Sequence, residues 1–463
     1  MSKQIVIRWM FTLLLIAVLT IPVLSQKRYE ITVREAVELA FKNVTEVKNA
    51  ELDVEIQDAQ NKEIRGQALP QIAGTSSVNR YLQVPQILFP ASSEGIYRVL
   101  MDEGLLPQGT KIPAPTAQLV SFVQPWNTNI GASLSQLLFQ PDVFVALRAR
   151  KSALGYREAS LEVVKERIKD SAYRRYYAIL IAEKQSVFLK GGIERLQKLY
   201  HDDSIMFVNG FAERLDLDKV QVQLTNLQTS LSVLENSVML AYAALKYTIG
   251  ISQRDTVFLR EGLTNEDIKR NVLDDNFKYE DRKEIQAMTY SRRLQELDVK
   301  RYKLGYLPTL SAVASYTYQG VGPEIFTDKS TIWFKSSLVG LNLNVPIFQG
   351  LQRKYKVQQA QFNLQKVDNA VENLKQIIDL QQTVSKESLK SALLNTDAQQ
   401  RNVQLAENVY NSTKKKFEAG IGSSFEVLQA DNDWQTAQSN YFTALYNAII
   451  AKISYQSAIG RLD

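Results

Sequence analysis

The sequence repeats itself at a fixed offset of 210 residues. Four landmark residues return at that spacing: Tyr200, Phe207, Gly210 and Gly250 recur as Tyr410, Phe417, Gly420 and Gly460. Between the last two glycines of each copy, apolar residues recur at alternating steps of three and four, beginning at Leu217 and Val220 and at Val427 and Ala430. This period is typical of a coiled coil. The unit is far longer than a solenoid repeat, so the chain is a duplicated, domain-sized unit whose copies lie side by side.

Composition narrows the class of protein. The chain has 463 residues, of which 45% are hydrophobic and 22% charged, and this balance is that of a folded protein. The formal net charge of +6 is small and evenly spread, so no nucleic acid partner is expected. The absence of cysteine excludes disulfides, thiol catalysis and a lipid-modified N-terminal cysteine.

The N-terminus has the pattern of a secretion signal. Lys3 and Arg8 form a basic region, and the following residues 9–21 are almost wholly apolar. This apolar run is shorter than the ~18 residues that a membrane-spanning helix needs. We therefore predict a signal peptide over residues 1–25, cleaved after Ser25, rather than an uncleaved anchor, and hence an exported protein.

Each copy is predicted to contain one β-hairpin. The hairpin follows an amphipathic helix, roughly 33–68 or 276–304, which ends at Leu69-Pro70 or Leu307-Pro308. Along the strands that follow, apolar and polar side chains alternate. The apolar positions are Ile130, Ala132, Leu134 and Leu138 in the first copy and Ala312, Ala314, Tyr316, Tyr318, Val339, Leu341, Leu343 and Val345 in the second. One apolar face and one polar face suit a strand between lipid and water, but also a soluble sandwich.

Aromatic residues are expected near the strand ends, where an interfacial girdle would lie; they are Tyr81, Trp126, Tyr316, Tyr318 and Trp333. Four strands cannot close a barrel, because outer-membrane barrels have at least about eight. Three copies of the chain would supply twelve. Residues 81–126, which hold six prolines, are predicted to form a long outward loop within the first hairpin.

A very long helix is predicted after each hairpin, over residues 142–209 and 351–419. At 1.5 Å per residue each would be about 100 Å long. The second is rich in glutamine at positions off its apolar seam, which suits a wetted channel and an ordinary solvated helix face equally well.

Several segments resemble the TolC-like outer-membrane efflux protein family, over nearly all of the mature length. They are Thr32-Val33-Arg34-Glu35-Ala36-Val37-Glu38-Leu39-Ala40, the two Leu-Pro breaks, Arg282-Lys283-Glu284-Ile285, Val345-Pro346-Ile347-Phe348, and the tips Asn209-Gly210-Phe211 and Ala419-Gly420-Ile421. The resemblance implies a mainly α, α+β membrane protein with a duplicated β-hairpin and long coiled-coil helices. It implies a homotrimer in which a 12-stranded β-barrel in outer-membrane lipid continues into an α-helical barrel in the periplasm.

The same resemblance implies the organisation and the partners. Residues 26–250 form the first repeat, 251–275 an equatorial linker and 276–463 the second repeat. The protein is expected to be a passive exit duct of a tripartite efflux or type I secretion system, located in the outer membrane and extending into the periplasm. Its partners are expected to be a periplasmic adaptor, or membrane fusion protein, and an inner-membrane pump of the RND or ABC type.

Candidate site residues follow from the family's pattern. Asp216 and Glu426, again 210 apart, match the acidic residues that narrow the periplasmic aperture, while the helix dipole alone would also favour acids at these helix starts. The tips Gly210, Phe211, Gly420 and Ile421 match the adaptor-docking turns. The sequence departs from the family at Gln429, where relatives often carry an acid, and at Gly422, the usual position of an arginine.

Catalytic chemistry is not indicated. His201 is the only histidine, and neither a phosphate-binding loop nor a nucleophile elbow is visible, so no enzyme activity, metal or cofactor is expected. Two other classes of protein stay open. A secreted coiled-coil scaffold would explain the heptads but not the hairpins, and a periplasmic adaptor would carry one helical hairpin flanked by more strands.

Overall fold

The computed structural model describes residues 27–91, 93–114, 116–260, 277–324 and 331–462. The predicted signal peptide and residues 261–275 of the predicted linker lie outside the described residues. The chain divides into two compact units, each built from both repeats. We call them the helical unit, the described parts of Met1–Asp58, Lys151–Leu294 and Gln365–Asp463, and the sheet unit, the described parts of Ala59–Arg150 and Gln295–Leu364.

The first repeat begins with a strand and two helices. Strand β1 (Arg28–Ile31) is followed by α1 (Val33–Asn43) and α2 (Thr45–Gln67). Thr32 and Glu35 cap α1 reciprocally: the Glu35 amide donates to the Thr32 hydroxyl and the Thr32 amide to the Glu35 carboxylate. The single predicted helix over 33–68 is therefore wrong. Val44 is extended and interrupts it, with φ −67° and ψ 127°.

The sheet unit carries the hairpins. The first contains β2 (Gln71–Arg80) and β5 (Trp126–Phe139), and the second β7 (Thr309–Gly322) and β8 (Ile332–Asn344). They form one antiparallel sheet in the order β2-β5-β7-β8. The predicted long loop contains β3 (Ile87–Ala91), α3 (Glu94–Asp102) and β4 (Thr116–Val120), with β3 and β4 paired. The Tyr81 amide donates to the Pro125 carbonyl and closes the base of this insertion.

The register of the sheet confirms the predicted faces. Ala312 pairs with Leu341, and Ala314 with Val339, so these side chains share one face. Cross-strand pairing extends the same face through β5 to Ile72 of β2. Tyr318 stacks on Trp333 at 4.8 Å between ring centroids, near the hairpin end. Tyr316, predicted near a strand end, lies instead at the middle of β7.

Four long helices dominate the described chain. They are α4 (Pro141–Val208), α5 (Arg214–Thr248), α7 (Gln352–Glu418) and α8 (Ser424–Ala458). The remaining elements are β6 (Thr256–Leu259), which pairs with β1 in parallel, a short 3₁₀ turn at Tyr279–Asp281, and α6 (Lys283–Leu304). The bounds of α4 and α7 agree with the predicted helices to within one residue. Within the described part of the chain, every helix is either too short or too polar to span a membrane.

The helical unit buries most of the predicted seam of α8 and the two ends of the predicted seam of α5, whose middle is half-buried. Helix α5 buries Leu217, Val220, Leu224, Leu227, Leu245 and Thr248, and α8 buries Val427, Ala430, Ala437, Ala444, Ala448, Ala451, Tyr455 and Ala458. Near the tips, one core joins all four long helices and contains Leu196, Val220, Tyr410 and Val427. A larger core holds α1 against the middle of α4 and the C-terminal halves of α5 and α8, around Tyr176 and Leu245.

Candidate functional site

The turns that join α4 to α5 and α7 to α8 have the same backbone geometry. Gly210 and Gly420 adopt φ values of 78° and 75°, a conformation that favours glycine. In the first turn the Phe211 amide donates to the Met206 carbonyl at 2.8 Å, and in the second the Ile421 amide donates to the Lys416 carbonyl at 3.0 Å. Each is a Schellman motif, which ends a helix by satisfying its last carbonyls. The duplication therefore extends to individual hydrogen bonds.

Each turn exposes the apolar side chain that follows its glycine. Phe211 and Ile421 are both 79% exposed, and a Cβ atom at Gly210 or Gly420 would meet nothing within 4 Å. At Gly422, by contrast, a Cβ atom would lie 3.1 Å from the backbone nitrogen of Phe417. This turn leaves little room for the arginine that the family resemblance would place there. Each described tip is thus an ordered turn that exposes an apolar side chain.

Asp216 lies in the first turn of α5, where the helix dipole favours a carboxylate. It is half-buried, and the Lys219 ammonium lies 3.4 Å from its carboxylate. The same ammonium lies 4.7 Å from the ring centroid of Phe425 on α8. The charge of Asp216 is therefore largely compensated within its own chain.

Glu426 occupies the matching position in the first turn of α8. The Ser423 hydroxyl accepts a hydrogen bond from the Glu426 amide at 3.2 Å and caps the helix, whereas Glu213, the corresponding N-cap residue of α5, makes no side-chain cap. The Glu426 carboxylate is exposed, and no cation among the described residues pairs with it. The two candidate aperture acids are thus equivalent in position but not in charge environment.

A third acid, Asp203 on α4, was missed by sequence reasoning. Its side chain is fully buried, and neither carboxylate oxygen has a hydrogen-bond partner of normal geometry. Burial raises the pKa of this carboxyl, and the nearby Asp216 and Asp202 raise it further, while the Ser424 hydroxyl partly offsets them. Asp203 follows Asp202 directly, and the sequence carries no signal for which of the two points inward.

A buried ion pair, also missed, joins the two repeats farther from the tips. The Arg195 guanidinium on α4 donates to the Asp431 carboxylate on α8 at 2.7 Å, and Asp431 is only 1% exposed. Gln435 donates to the second Asp431 oxygen. The guanidinium also lies over the Trp434 ring, 4.2 Å from its centroid, and Trp434 stacks on Tyr410 of α7 at 5.2 Å. We call Arg195 and Asp431 the internal lock.

Among the residues that the structure describes, no group of three or more histidine or acidic side chains is arranged to hold a metal ion. The tip region contains two ordered turns, exposed apolar side chains and carboxylates at the starts of two helices. Such groups can bind another protein or present charge to a passage.

A protein-family model and a known protein match this chain in sequence. Residues 279–461 match the family model described as Outer membrane efflux protein. Outer membrane protein TolC of Vibrio cholerae is 19% identical over 338 residues, which make up 72% of this chain and 76% of that protein.

Solved structures share the fold over most of the chain. CusC aligns with a TM-score of 0.71 at 14% identity, over 93% of this chain and 92% of its own. The Campylobacter jejuni CmeC outer membrane channel aligns with a TM-score of 0.69 at 16% identity, over 93% of this chain and 86% of its own. Together with the family match to the second repeat, these alignments confirm that the chain is similar in sequence and fold to the TolC-like outer membrane efflux proteins.

Proposed function

We propose that three copies of this chain assemble into a passive outer-membrane exit duct for a tripartite efflux or type I secretion system. The observation that carries the proposal is the four-stranded sheet with two open edges, β2 and β8. Edge strands with free N–H and C=O groups must find partners before a sheet can lie in lipid. Pairing β8 of one copy with β2 of the next, three times over, closes a barrel of twelve strands.

The faces of the sheet support a position in the membrane. Ile72, Val339 and Leu341 lie on the apolar face and are exposed in the single chain. The opposite face carries Ser133, Ser315 and other small polar residues. In a closed barrel the apolar face meets lipid and the polar face meets a water-filled passage.

The long helices support closure in the helical unit. Two of them, α5 and α7, carry apolar residues on faces that the single chain leaves uncovered. On α5 these residues are Val222, Val233, Leu240 and Tyr247, and on α7 they are Leu380, Val384, Leu394, Leu405 and Val409. A soluble monomer rarely exposes such stripes. Copies packed side by side cover them and form the periplasmic helical barrel.

The tips face the partners. We assign Gly210, Phe211, Gly420 and Ile421 to docking of a periplasmic adaptor, which links the duct to an inner-membrane pump of the RND or ABC type. Exposed apolar side chains on rigid turns suit a contact with another protein. Asp216 and Glu426 are assigned to the aperture at the same end, where three-fold repetition places carboxylates in rings that favour cations.

The oligomeric state tests the proposal. Native mass measurement of the detergent-purified protein is expected to give three chains per particle, and outer-membrane fractions are expected to retain the protein until detergent is added. A monodisperse monomer or dimer would refute the closed barrel. Release from membranes without detergent would favour the scaffold or adaptor class instead.

A further inference from the structure

A cavity of about 850 Å³ lies in the helical unit, between α4, α7, the C-terminal part of α8 and the start of α6. Its residues on α4 and α8 face away from the core that surrounds α1. Glu166 lines the cavity, whereas Ile168, roughly 200° further round the helix, lies in that core. Ala451 and Ile449 are related in the same way. Ligand-binding cavities commonly measure about 300–1,000 Å³, so this one has room for a small organic molecule.

Most of the cavity wall is apolar. Leu380 and Val384 contribute to it from α7, and Ile450 and Ala451 contribute from α8. Leu380 and Val384 also belong to the face of α7 that another copy covers in the proposed trimer, so the cavity borders that junction. A wall of this composition favours a hydrocarbon group over a hydrated ion.

Each arginine side chain at the cavity is already paired with an acid. The pairs are Arg174 with Asp170, Arg282 with Glu284, and Arg167 with Glu46 of α2. Arg174 donates to both oxygens of Asp170, at 2.6 and 3.1 Å, and such two-fold contacts hold a guanidinium firmly. Arg282 donates to both oxygens of Glu284 and also to the Ala458 carbonyl at 2.9 Å. The paired charges cancel, so the arginines give the cavity no net positive charge.

Glu166 is the carboxylate at the cavity that lacks such a pair. No described residue forms a hydrogen bond or an ion pair with its side chain, which is half-buried. Burial raises the pKa of the Glu166 carboxyl; the nearby Lys169 and Lys283 offset part of this rise, and Glu162 and Glu284 add to it. The ionised carboxylate therefore lacks counter-charge at the place where the apolar wall begins.

We infer that this cavity binds a small amphipathic organic cation, with its ammonium group at Glu166 and its hydrocarbon part against Leu380, Val384 and Ile450. An ammonium group restores the missing counter-charge, and the wall shields the rest of the ligand from water. A metal ion would need several oxygen ligands, and no group of three or more acidic or histidine side chains among the described residues is arranged to supply them. The inference goes beyond the proposed function, because a passive duct requires no binding site.

Three probes of similar shape test the inference: phenethylammonium, phenethyl alcohol and phenylacetate. Saturation-transfer NMR titrations use the detergent-purified protein, with empty micelles as the blank. The ammonium probe is expected to bind about tenfold more tightly than the alcohol, which is the effect of one charge-assisted hydrogen bond in a partly exposed site. Phenylacetate is expected to bind more weakly than the alcohol. Equal binding of the three probes, or a preference for phenylacetate, would overturn the inference.

Variants locate the site. Glu166→Gln is expected to reduce binding of the ammonium probe to the level of the alcohol and to leave the alcohol unaffected. Glu162→Gln is the matched control, since Glu162 lies one turn earlier on α4, pairs with Lys165 at 3.1 Å and does not line the cavity. Ser388→Trp, which fills the cavity from an exposed position, is expected to weaken binding of both probes.

Native mass measurement of the same samples separates the two proposals. If the protein is trimeric but Glu166→Gln and Glu162→Gln have equal effects, or if Ser388→Trp binds both probes normally, the inference is wrong and the proposed duct still stands. A monomeric wild-type particle would instead refute the proposed function.

Discussion

Replacing Asp431 with alanine is expected to destabilise the protein by about 3 kcal/mol. The substitution leaves the Arg195 guanidinium without its carboxylate in a site walled by aromatic rings. Removing one partner of a buried ion pair generally costs about 3–5 kcal/mol. We expect the lower end of that range because the Arg195 side chain is 21% exposed and can turn toward water, and because its contact with Trp434 survives.

The double variant Arg195→Met with Asp431→Leu is expected to lie within about 1 kcal/mol of the wild type, since an apolar pair of similar volume avoids the desolvation of both charges. Lys190→Ala supplies a control. Its pair with Glu235 also joins two helices, at 2.9 Å, but both side chains are about half exposed, and such surface pairs contribute about 0–1 kcal/mol.

Urea unfolding of the detergent-purified protein, followed by tryptophan fluorescence, measures these differences, and Trp434 reports directly on the site. The reasoning would be refuted if Asp431→Ala and Lys190→Ala shifted the transition equally. The reasoning would also be refuted if the apolar double variant were as unstable as Asp431→Ala. That result would mean that the attraction between Arg195 and Asp431 stabilises the fold, and that the loss in Asp431→Ala is not the cost of an unpaired buried charge.

Three further predictions concern the tip region. In planar bilayers, Glu426→Gln is expected to reduce cation selectivity more than Asp216→Asn, because only Asp216 has a compensating lysine, and equal effects would contradict the assignment. Phe211→Asp with Ile421→Asp is expected to abolish efflux while leaving the amount of trimer in the outer membrane unchanged, and normal efflux by this variant would refute the docking role. Burial raises the pKa of Asp203, so the folded state keeps the Asp203 proton at pH values at which the unfolded chain has released it. The wild type is therefore expected to lose stability as pH rises from 3.8, the ordinary value of the group, through the raised pKa. Asp203→Asn is expected to remove this slope and to raise the stability at neutral pH, as measured by thermal unfolding across pH.

The sequence alone predicts those features that depend on the spacing of apolar and polar residues along a short stretch of chain. Steps of three and four identify the seams that contain Val220 and Val427, and alternation identifies the apolar face that contains Val339. The starts of α4 and α7 follow strand exits at proline or glycine, and their ends lie just before Gly210 and Gly420, which adopt the left-handed backbone that ends a helix. The turn at Gly210 is predicted for the same reason.

Other features depend on contacts that no local pattern reveals. Arg195 and Asp431 are separated by 236 residues and stand in segments with many charges, so nothing marks them as partners. The break at Val44 involves neither glycine nor proline. It coincides with tertiary packing, since a Cβ atom at Gly250, just after α5, would lie 2.8 Å from the Asn43 Cβ. Strand β3 was assigned to a loop because it contains Pro90, which a paired strand tolerates only at an edge.

The open strands β2 and β8 also bear on how the chain survives before it assembles. A single copy presents two rows of unpaired backbone groups beside an apolar face, a form that is prone to aggregate. In the proposed trimer, two copies joined edge to edge still leave two free rows, and only the third copy removes them all. Assembly of the proposed trimer is therefore expected to be strongly cooperative, and the stability of its sheet is expected to depend on chain concentration.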